Sequence, residues 1–430
     1  MTGAAALLAR LPQHGMRLGL ERITAACDAL GVPQARFGSI LVAGTNGKGS
    51  TCAFVESALR ASGRRVGLYT SPHLVSHRER IRVDGVPVEE AELDAAVARL
   101  VAVHPAAGQP GHAEALTYFE LLTAIAFDLF ARARIDVAVL EVGLGGRLDA
   151  TNVPGSRLLA TGVTRLGFDH TEYLGADLAA IAGEKAGIAR AGVPLVSAPL
   201  VPVARRVLVA RAQAVGTSLL EAGRELTLVP GEGGLEYRGP RLRVDGLKLG
   251  LRGGHQAENG CVALGLLEAV DASLPVTHAQ LRAGLATARW PGRLEALPGE
   301  PLTVLDGAHN VDGARALADA FVHLFPGARP QLVLAVLADK ERGEMMEALL
   351  PLAVRVHTCA VSNPRAVPAA LLAGEARGIT SQPVAAHESV AQALQAARVA
   401  AGSGGVVLVA GSLYLVGEVR RLLLGDAPAI

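Results

Sequence analysis

A glycine-rich segment near residue 44 has the composition of an anion-binding loop. It reads Gly44-Thr45-Asn46-Gly47-Lys48-Gly49-Ser50 and directly follows an apolar, β-branched run at residues 39–43. Glycines allow successive backbone N–H groups to converge on an anion, and a lysine adds a point charge. Apolar side chains recur at helical spacing after the loop, and the N-terminus of a helix adds positive potential. We therefore predict a strand, a phosphate loop and a helix, in that order.

The loop differs from the usual nucleotide loop at Gly49. The usual pattern places Ser or Thr directly after the lysine, whereas here Gly49 stands before Ser50 and Thr51. The pattern therefore does not decide which hydroxyl would face magnesium. The alternative interpretation is an ordinary glycine-rich turn with a surface lysine. We disfavour it because the strand, the loop and the helix all agree with the motif.

Lysine is rare in this chain, which draws attention to the positions that have it. Only four of the 41 basic residues are lysines, namely Lys48, Lys185, Lys248 and Lys340. The chain otherwise uses arginine as its cation, so a lysine indicates that the amine itself is needed. Lys185 lies on a predicted helix beside Glu184. An exposed lysine paired with that carboxylate is the alternative interpretation.

Three polar residues come shortly after predicted strands of the same region: Ser71, Glu141 and His170. Strands and helices alternate here, which predicts a largely parallel sheet, and such sheets bind ligands at the carboxyl ends of their strands. A carboxylate oxygen near phosphates suits a nucleotide-bound magnesium ion. A lone histidine in such a place is more often a hydrogen-bonded structural residue. The convergence of all three beside a phosphate loop favours a metal site.

Length and composition predict a large core and two or three domains. The 430 residues are 50% hydrophobic and 19% charged, so disorder is not expected. The net charge of +1 argues against a broad surface for nucleic acid or anionic membranes. We find no apolar run long enough to span a bilayer and no signal pattern at the N-terminus. The four scattered cysteines are expected to be buried free thiols in a reducing cytoplasm.

The chain is expected to divide near residue 290. A helix is predicted at about residues 17–30, and short β runs at residues 217–253 predict hairpins on the edge of the first domain. We predict an α/β protein with a mostly parallel P-loop-type sheet domain over residues 1–290. A second, smaller Rossmann-like α/β domain is predicted over residues 291–430. Its strands are expected near residues 302–305, 331–337, 354–358 and 405–410.

Two polar turns of the second domain have two interpretations each. Asp306, His309 and Asn310 follow the first predicted strand of this domain, and Ser412 follows the last one. These residues could cap the helices that come next. Equally, they could face a nucleotide bound by the first domain. Periodicity alone does not decide between the two interpretations.

Together these segments resemble the folylpolyglutamate synthase/dihydrofolate synthase family, whose relatives include the Mur peptide ligases. The resemblance covers nearly the whole chain in the family's order, and Gly49 is expected in this branch. The segments that carry it are residues 44–50, 70–74, 116–120, 141–152, 169–171, 184–188, 255–259, 291–293, 306–310 and 338–340.

The resemblance implies an ATP-dependent carboxylate–amine ligase that adds L-glutamate to dihydropteroate, to reduced folates, or to both. In the family, ATP phosphorylates the substrate carboxylate, and the amine of glutamate attacks the resulting acyl phosphate. The implied cofactors are ATP and two magnesium ions. The expected partners are therefore small molecules, with no nucleic acid and no membrane. We expect a monomer that acts in the cytoplasm.

The family motifs imply a role for each matching residue. Nucleotide contacts are expected from Gly47, Lys48, Gly49, Ser50, Asn259, Arg293 and Asp306. One magnesium ion is expected on Ser71, Glu141 and His170, and a second on a carbamylated Lys185. The residues that match the pterin site of bifunctional members are Leu20, Thr117, Phe119, Leu148, Asp149 and Ala150. The expected catalytic residues are Lys48, Lys185, His309 and Ser412.

Other interpretations fit parts of the sequence. A Mur-type ligase that acts on a cell-wall nucleotide would need an additional domain before the loop, and the loop here lies close to the N-terminus. A P-loop ATPase or kinase that acts as a switch would turn over ATP without glutamate. At the predicted pterin site, Asp149 could merely cap the turn before Thr151, and Phe119 could be helix core.

Overall fold

The chain divides into two compact units in the computed structural model, which describes residues 3, 7–8, 11, 17–109 and 112–428. The first unit comprises Met1–Ser71, His77–Gly250 and Ala257–Ala288. The second unit comprises Pro72–Ser76, Leu251–Gln256 and Arg289–Ile430. The division of roles between domains 1–290 and 291–430 stays a prediction. No helix in the described ranges is long and apolar enough to cross a membrane.

The first unit is built on an eight-stranded sheet with the order β4-β3-β2-β5-β1-β6-β7-β8. Strands β2, β5, β1, β6, β7 and β8 run parallel, whereas β3 and β4 form an antiparallel edge. The strands are β1 (Gly38–Ala43), β2 (Val66–Tyr69), β3 (Ile81–Val83), β4 (Val86–Pro87), β5 (Val137–Glu141), β6 (Arg157–Val163), β7 (Leu195–Ser197) and β8 (Leu219–Glu221).

The central strands of this sheet are buried on both faces. Every residue of β1 and of β5 is buried, as their continuous apolar runs require in a parallel sheet covered by helices. The helices of this unit are α1 (Glu21–Ala29), α2 (Lys48–Ala61), α3 (Glu90–Val103), α4 (Tyr118–Ala133), α5 (Thr171–Leu174), α6 (Leu178–Ala186), α7 (Pro202–Val215), α8 (His255–Val270, which begins in the second unit) and α9 (His278–Thr287).

The glycine-broken segment after β8 forms a small antiparallel sheet, ordered β11-β10-β9. Its strands are β9 (Thr227–Gly231), β10 (Gly234–Arg238) and β11 (Arg243–Leu247). The hairpins that the sequence predicts at residues 217–253 are therefore present. However, β8, which lies at the start of that range, pairs in parallel with β7 and belongs to the large sheet.

The second unit has a six-stranded sheet with the order β12-β13-β17-β14-β15-β16, parallel except for β12. Its strands are β12 (Glu295–Leu297), β13 (Leu302–Leu305), β14 (Gln331–Leu334), β15 (Arg355–Thr358), β16 (Val384–Ala386) and β17 (Val406–Ala410). Its further helices are α10 (Val311–Leu324), α11 (Arg342–Leu349), α12 (Ala369–Ile379), α13 (Val390–Ala401) and α14 (Leu413–Leu424). The predicted α/β class is confirmed.

Some predicted boundaries shift for identifiable reasons. The helix expected from residue 17 begins at Glu21, because Gly19 has a φ of +133°, which no helical residue adopts. Glu141 is the last residue of β5 and pairs with Val42, whereas the sequence places it just beyond the strand. The side chain of Glu141 is consequently held by the sheet and not by a loop.

Candidate active site

Four neighbouring parallel strands bring the predicted residues to one edge of the large sheet. In the order β2-β5-β1-β6, these strands are followed or ended by Ser71, Glu141, Lys48 and His170, respectively. Neighbouring strands lie about 4.8 Å apart, and their carboxyl ends share one edge. The register places Leu41 of β1 beside Leu140 of β5, so the two strands end nearly level. The prediction of a common sheet edge is therefore supported by the topology.

The phosphate loop joins β1 to α2 through two glycines with positive φ. Gly44 has a φ of +145° and Gly47 a φ of +93°. A Cβ atom would collide with Thr164 at the first position and with the Asn259 side chain at the second. Gly47 is the N-cap of α2 and, as a glycine, has no side chain with which to cap this helix. A glycine at this position suits an anion site, because an anion can then accept from the N–H groups of the first turn.

Two lysine amines meet at one carbonyl of this loop. Lys48 Nζ donates to the carbonyls of Gly44 and Thr45, at 3.1 Å each. Lys185 Nζ donates to the same carbonyl of Gly44 at 2.9 Å. Burial and the nearby Lys48 ammonium lower the pKa of Lys185 to about 7, although Asp169 and Asp149 oppose that shift. Lys185 is only 5% exposed, so the interpretation as a surface lysine is wrong.

Of the predicted magnesium residues, the structure joins Ser71 and Glu141 by a direct hydrogen bond. Glu141 is buried, and its Oε2 accepts a hydrogen bond from the backbone N–H of Ser71 at 3.1 Å. His170 has a φ of +53° at the N-cap of α5, and its Nε2 lies 3.8 Å from Asp169 Oδ2. Across the described ranges, no group of three or more His, Cys, Asp and Glu side chains could hold a metal ion. The role of His170 as a metal ligand therefore stays a prediction.

The side chains at this edge of the sheet include oxygen donors of the kind that bind magnesium. Glu141 offers a buried carboxylate, and Ser71, whose backbone N–H donates to that carboxylate, carries a hydroxyl. Both are hard oxygen donors of the kind that magnesium prefers. An ammonium or neutral amine on Lys185 is not such a donor, so this residue could join the set only after conversion to a carbamate.

Thr45 is a structural residue of the site that the sequence analysis did not single out. Its Oγ1 donates to the carbonyl of Gly167 at 3.0 Å and accepts from the N–H of Gly167 at 3.1 Å. The N–H of Thr45 also donates to the carbonyl of Arg165 at 2.9 Å. These bonds tie the phosphate loop to the segment that leads to His170. A hydroxyl inside a glycine-rich loop was the signal that could have identified it.

The six residues of the predicted pterin site all lie in the first unit, in three separate segments of the chain. Leu20 and Thr117 are the N-caps of α1 and α4, and Leu148 and Ala150 lie in the loop after β5. The Phe119 ring lies 5.8 Å from that of Tyr69 and covers Gly143, where a Cβ atom would collide with it. Phe119 is partly buried, so it is neither wholly core nor wholly exposed.

Asp149 is a buried cap of the loop after β5. Its Oδ1 accepts from Thr151 N–H at 3.0 Å, and its Oδ2 accepts from Leu144 N–H at 2.9 Å. Burial raises the pKa of this carboxyl, whereas the hydrogen bonds to it act in the opposite direction. The capping interpretation of Asp149 is therefore confirmed. Its role in pterin binding stays a prediction, because both oxygens already accept bonds from the chain.

In the second unit, the two polar turns are caps. Asn310 Oδ1 accepts from the N–H of Gly313 at 2.8 Å, and Ser412 Oγ accepts from the N–H of Tyr414 at 3.1 Å. The capping interpretation is confirmed for Asn310 and Ser412.

Asp306 braces the backbone around its own turn. Its two carboxylate oxygens accept from the N–H groups of Ala308 and Leu294, at 2.8 Å each. His309 Nδ1 lies 2.7 Å from the carbonyl of Gly307, and a Cβ atom on Gly307 would collide with the Arg293 guanidinium. Asp306, His309 and Arg293 thus surround one glycine. Their roles toward nucleotide and glutamate stay predictions.

Known proteins resemble the chain over nearly its whole length. A family model described as the glutamate ligase domain of Mur ligases matches residues 292–413. The dihydrofolate synthase/folylpolyglutamate synthase of Bacillus subtilis is 35% identical, over 96% of this chain and 96% of that protein. The chain belongs to the folylpolyglutamate synthase/dihydrofolate synthase family. The resemblance inferred from the motifs is confirmed, and the chain is an ATP-dependent ligase.

Solved structures agree with this assignment. A structure described as Escherichia coli FolC in complex with DHPP and ADP has a TM-score of 0.88 and 33% identity, and each chain is covered to 98%. The bifunctional family member of Yersinia pestis, complexed with AMPPNP and a manganese ion, has a TM-score of 0.86 and 32% identity, again with 98% of each chain covered. At these identities the likeness extends to the family and not only to the fold.

Proposed function

We propose that this ligase joins L-glutamate both to dihydropteroate and to reduced folates. The carboxylate of the acceptor attacks the γ-phosphorus of ATP, which forms an acyl phosphate and releases ADP. The amine of glutamate then attacks the acyl carbon, so an amide bond forms and phosphate leaves. The observation that carries the proposal is the similarity to a family member complexed with DHPP and ADP. The glycine N-cap of α2 behind the loop agrees with it.

The nucleotide phosphates are proposed to lie on Gly47, Lys48, Gly49 and Ser50. The N–H groups at the start of α2 and the Lys48 ammonium would face them. In the structure Lys48 donates to carbonyls of its own loop. Binding of phosphate would exchange these neutral acceptors for charged ones, which make stronger hydrogen bonds. Asn259 of α8 lies against Gly47 and would contact the nucleotide from there.

Magnesium is proposed to bind Ser71, Glu141 and His170, with a second ion on a carbamylated Lys185. When bound, the cation would neutralise repulsion between the phosphates and the acceptor carboxylate. Carbamate formation needs a neutral amine, and the lowered pKa of Lys185 supplies one near pH 7. The product is a carboxylate-like group that suits magnesium. Arginine cannot form it, which agrees with the lysine at this position in an arginine-rich chain.

We also propose the finer division of the chain. Domain 1–290 would bind nucleotide and pterin, and domain 291–430 would bind glutamate, with Arg293 and Asp306 toward the nucleotide and His309 and Ser412 near the reacting groups. The protein is expected to act as a cytoplasmic monomer on small-molecule substrates.

The pterin is proposed to contact Leu20, Thr117, Phe119, Leu148, Asp149 and Ala150. Phe119 offers an aromatic face, and Asp149 a carboxylate that can accept N–H bonds. For Asp149 to do so, it must share an oxygen that already accepts from Thr151 or Leu144. Folate extension would place the pterin elsewhere, so Asp149→Ala should impair the dihydropteroate reaction more than extension.

A paired assay tests the proposed function. The purified protein is given ATP, magnesium and L-glutamate with either dihydropteroate or tetrahydrofolate, and ADP and the ligated product are both measured. We expect product with each acceptor and little ADP when glutamate is omitted. Turnover of ATP that is independent of glutamate would instead support the switch interpretation. Absence of dihydropteroate activity, or equal loss of both activities in Asp149→Ala, would contradict the two-acceptor assignment.

A further inference from the structure

The starts of α1 and α4 both carry predicted pterin residues, and the side chains of Arg17 and Arg22 connect the two segments. Leu20 is the N-cap of α1, and Thr117 is the N-cap of α4. The two helices pack together, and Leu20 and Phe119 both pack against the same hydrophobic core. The relative position of the two helix starts therefore sets the distance of Leu20 from Thr117 and Phe119.

The main connection is an ion pair between Arg22 and Glu120. Arg22 Nη2 lies 2.8 Å from Glu120 Oε1, and Arg22 Nε donates to Glu120 Oε2 at 3.2 Å. The side chains are 13% and 5% exposed, so solvent screens the pair weakly. Each member lies within three residues of a predicted pterin contact: Arg22 follows Leu20, and Glu120 follows Phe119.

Glu120 serves both helices at once. Its Oε2 accepts from the N–H of Thr117 at 2.8 Å, while the hydroxyl of Thr117 accepts from the N–H of Glu120 at 3.2 Å. This is a capping box at the start of α4. The carboxylate that fixes the conformation of Thr117 is thus the same group that holds Arg22 of α1.

A second connection runs through Arg17. Arg22 Nη2 donates to the carbonyl of Arg17 at 2.5 Å, and Arg17 Nη2 donates to the carbonyl of Ala113 at 3.2 Å. The chain from Arg17 to Arg22 is therefore attached at one end to the segment before α4 and at the other end to Glu120 in the first turn of α4. The far side of Phe119 is fixed separately, by Tyr69 and by Gly143.

We infer that Arg22, acting through Glu120, is a positioning residue that holds Leu20 at its distance from Thr117 and Phe119. This inference rests on the pterin site proposed above and deepens it. Arg22 does not need to touch the substrate, because its guanidinium is engaged by Glu120 and by the carbonyl of Arg17. Loss of Arg22 should widen the site on the Leu20 side only, so binding of the pterin should weaken while the reaction centre is unchanged.

The experiment uses a variant in which the connection is lost but no buried charge is left alone. Arg22→Met by itself would leave the Glu120 carboxylate buried and unpaired, which destabilises proteins strongly. In the double variant Arg22→Met/Glu120→Gln, glutamine can still close the capping box at Thr117. The matched control is Arg99→Met/Asp128→Asn, because Arg99 of α3 pairs with Asp128 further along α4, where Asp128 also pairs with Arg132.

Binding is measured by calorimetric titration with pteroic acid in the presence of ADP and magnesium, and kinetics are measured with dihydropteroate. We expect the double variant to raise the Kd for pteroic acid and the KM for dihydropteroate about tenfold, with kcat changed less than about twofold. Arg22→Lys, which keeps one donor to Glu120, should recover part of the affinity. The control pair should leave both constants unchanged.

Several outcomes would overturn the inference. These are an unchanged Kd in the folded double variant, a loss confined to kcat, or an equal rise in Kd for the control pair. Failure of pteroic acid to bind the unaltered protein would overturn it as well, since no pterin site would then exist on this surface. Failure of the proposed function looks different: the unaltered protein would bind pteroic acid, and the variant would weaken that binding, but dihydropteroate would not be ligated.

Discussion

The loop after β1 and the turn after β13 are built on the same plan but satisfy their polar groups differently. Each follows a buried strand at the carboxyl edge of a parallel sheet and leads into a helix, α2 in one case and α10 in the other. In the turn, Asn310 caps α10, and Asp306 accepts from two backbone N–H groups. In the loop, the N-cap is Gly47, which has no side chain with which to cap α2.

This difference in helix capping suggests different roles for the loop after β1 and the turn after β13. Helix starts need partners for their first N–H groups, and these partners are either a side chain or a ligand. The turn at residues 306–310 supplies its own partners, so it is suited to holding nearby groups in place. The loop at residues 44–50 has a glycine at the N-cap with Lys48 directly after it, so we expect an anion to serve as a partner there. The comparison therefore predicts that the phosphates bind at the loop and not at the turn.

The largest effect is expected at Lys48. Lys48→Ala removes a charge-assisted contact to phosphate and to the charge that develops in the transition state, which should cost on the order of 3 kcal/mol or more. This corresponds to roughly a hundredfold or greater loss in kcat/KM. The exposed Lys248 provides the control, as Lys248→Ala should leave kcat/KM unchanged. Near-normal turnover in Lys48→Ala would show that the loop does not carry the phosphates.

The next largest effect is expected at Lys185, whose amine donates to the carbonyl of Gly44. The pKa of Lys185 is lowered from 10.5 to about 7, so in the folded protein its amine becomes neutral as the pH rises through 7. Carbamylation at a fixed concentration of dissolved carbon dioxide should therefore increase from about pH 6 to about pH 8. A carbon-13 carbamate signal should follow that increase and be absent in Lys185→Arg, with most activity lost. Full activity in Lys185→Arg would refute the carbamate.

A smaller effect is expected at Glu141. Glu141→Gln keeps the shape of the side chain and can still accept from Ser71 N–H, but it removes the negative charge. We expect the magnesium concentration for half-maximal activity to rise about tenfold. Glu56, an equally buried carboxylate paired with Arg60, serves as the control, because Glu56→Gln should not change that concentration. Identical magnesium titrations for Glu141→Gln and the unaltered protein would remove Glu141 from the metal site.

The sequence predicts the parts of the fold that depend on local pattern. The apolar run at residues 39–43 and the glycines after it locate β1 and the loop, because a buried parallel strand and a positive φ leave clear signals. The sequence could not decide whether Asn310 and Ser412 are caps, since a cap depends on side-chain geometry that composition does not specify. Nor could it show that Lys48 and Lys185 share the carbonyl of Gly44, because 141 residues separate Gly44 from Lys185.

The smallest effect is a loss of stability at the turn of the second unit. Asn310→Ala removes the acceptor for the N–H of Gly313 at the start of α10, which should cost about 1 kcal/mol of unfolding free energy. Asn310→Asp keeps an acceptor at the N-terminus of the helix and should restore that stability, whereas Asn310→Gly should recover it only in part. Thr277→Ala removes the capping box that begins α9 and should lower the unfolding free energy by a similar amount in the first unit. Urea unfolding followed by circular dichroism measures each variant. If Asn310→Ala unfolds at the same urea concentration as the unaltered protein, Asp306 alone holds the turn, and the contrast with Gly47 no longer rests on the cap.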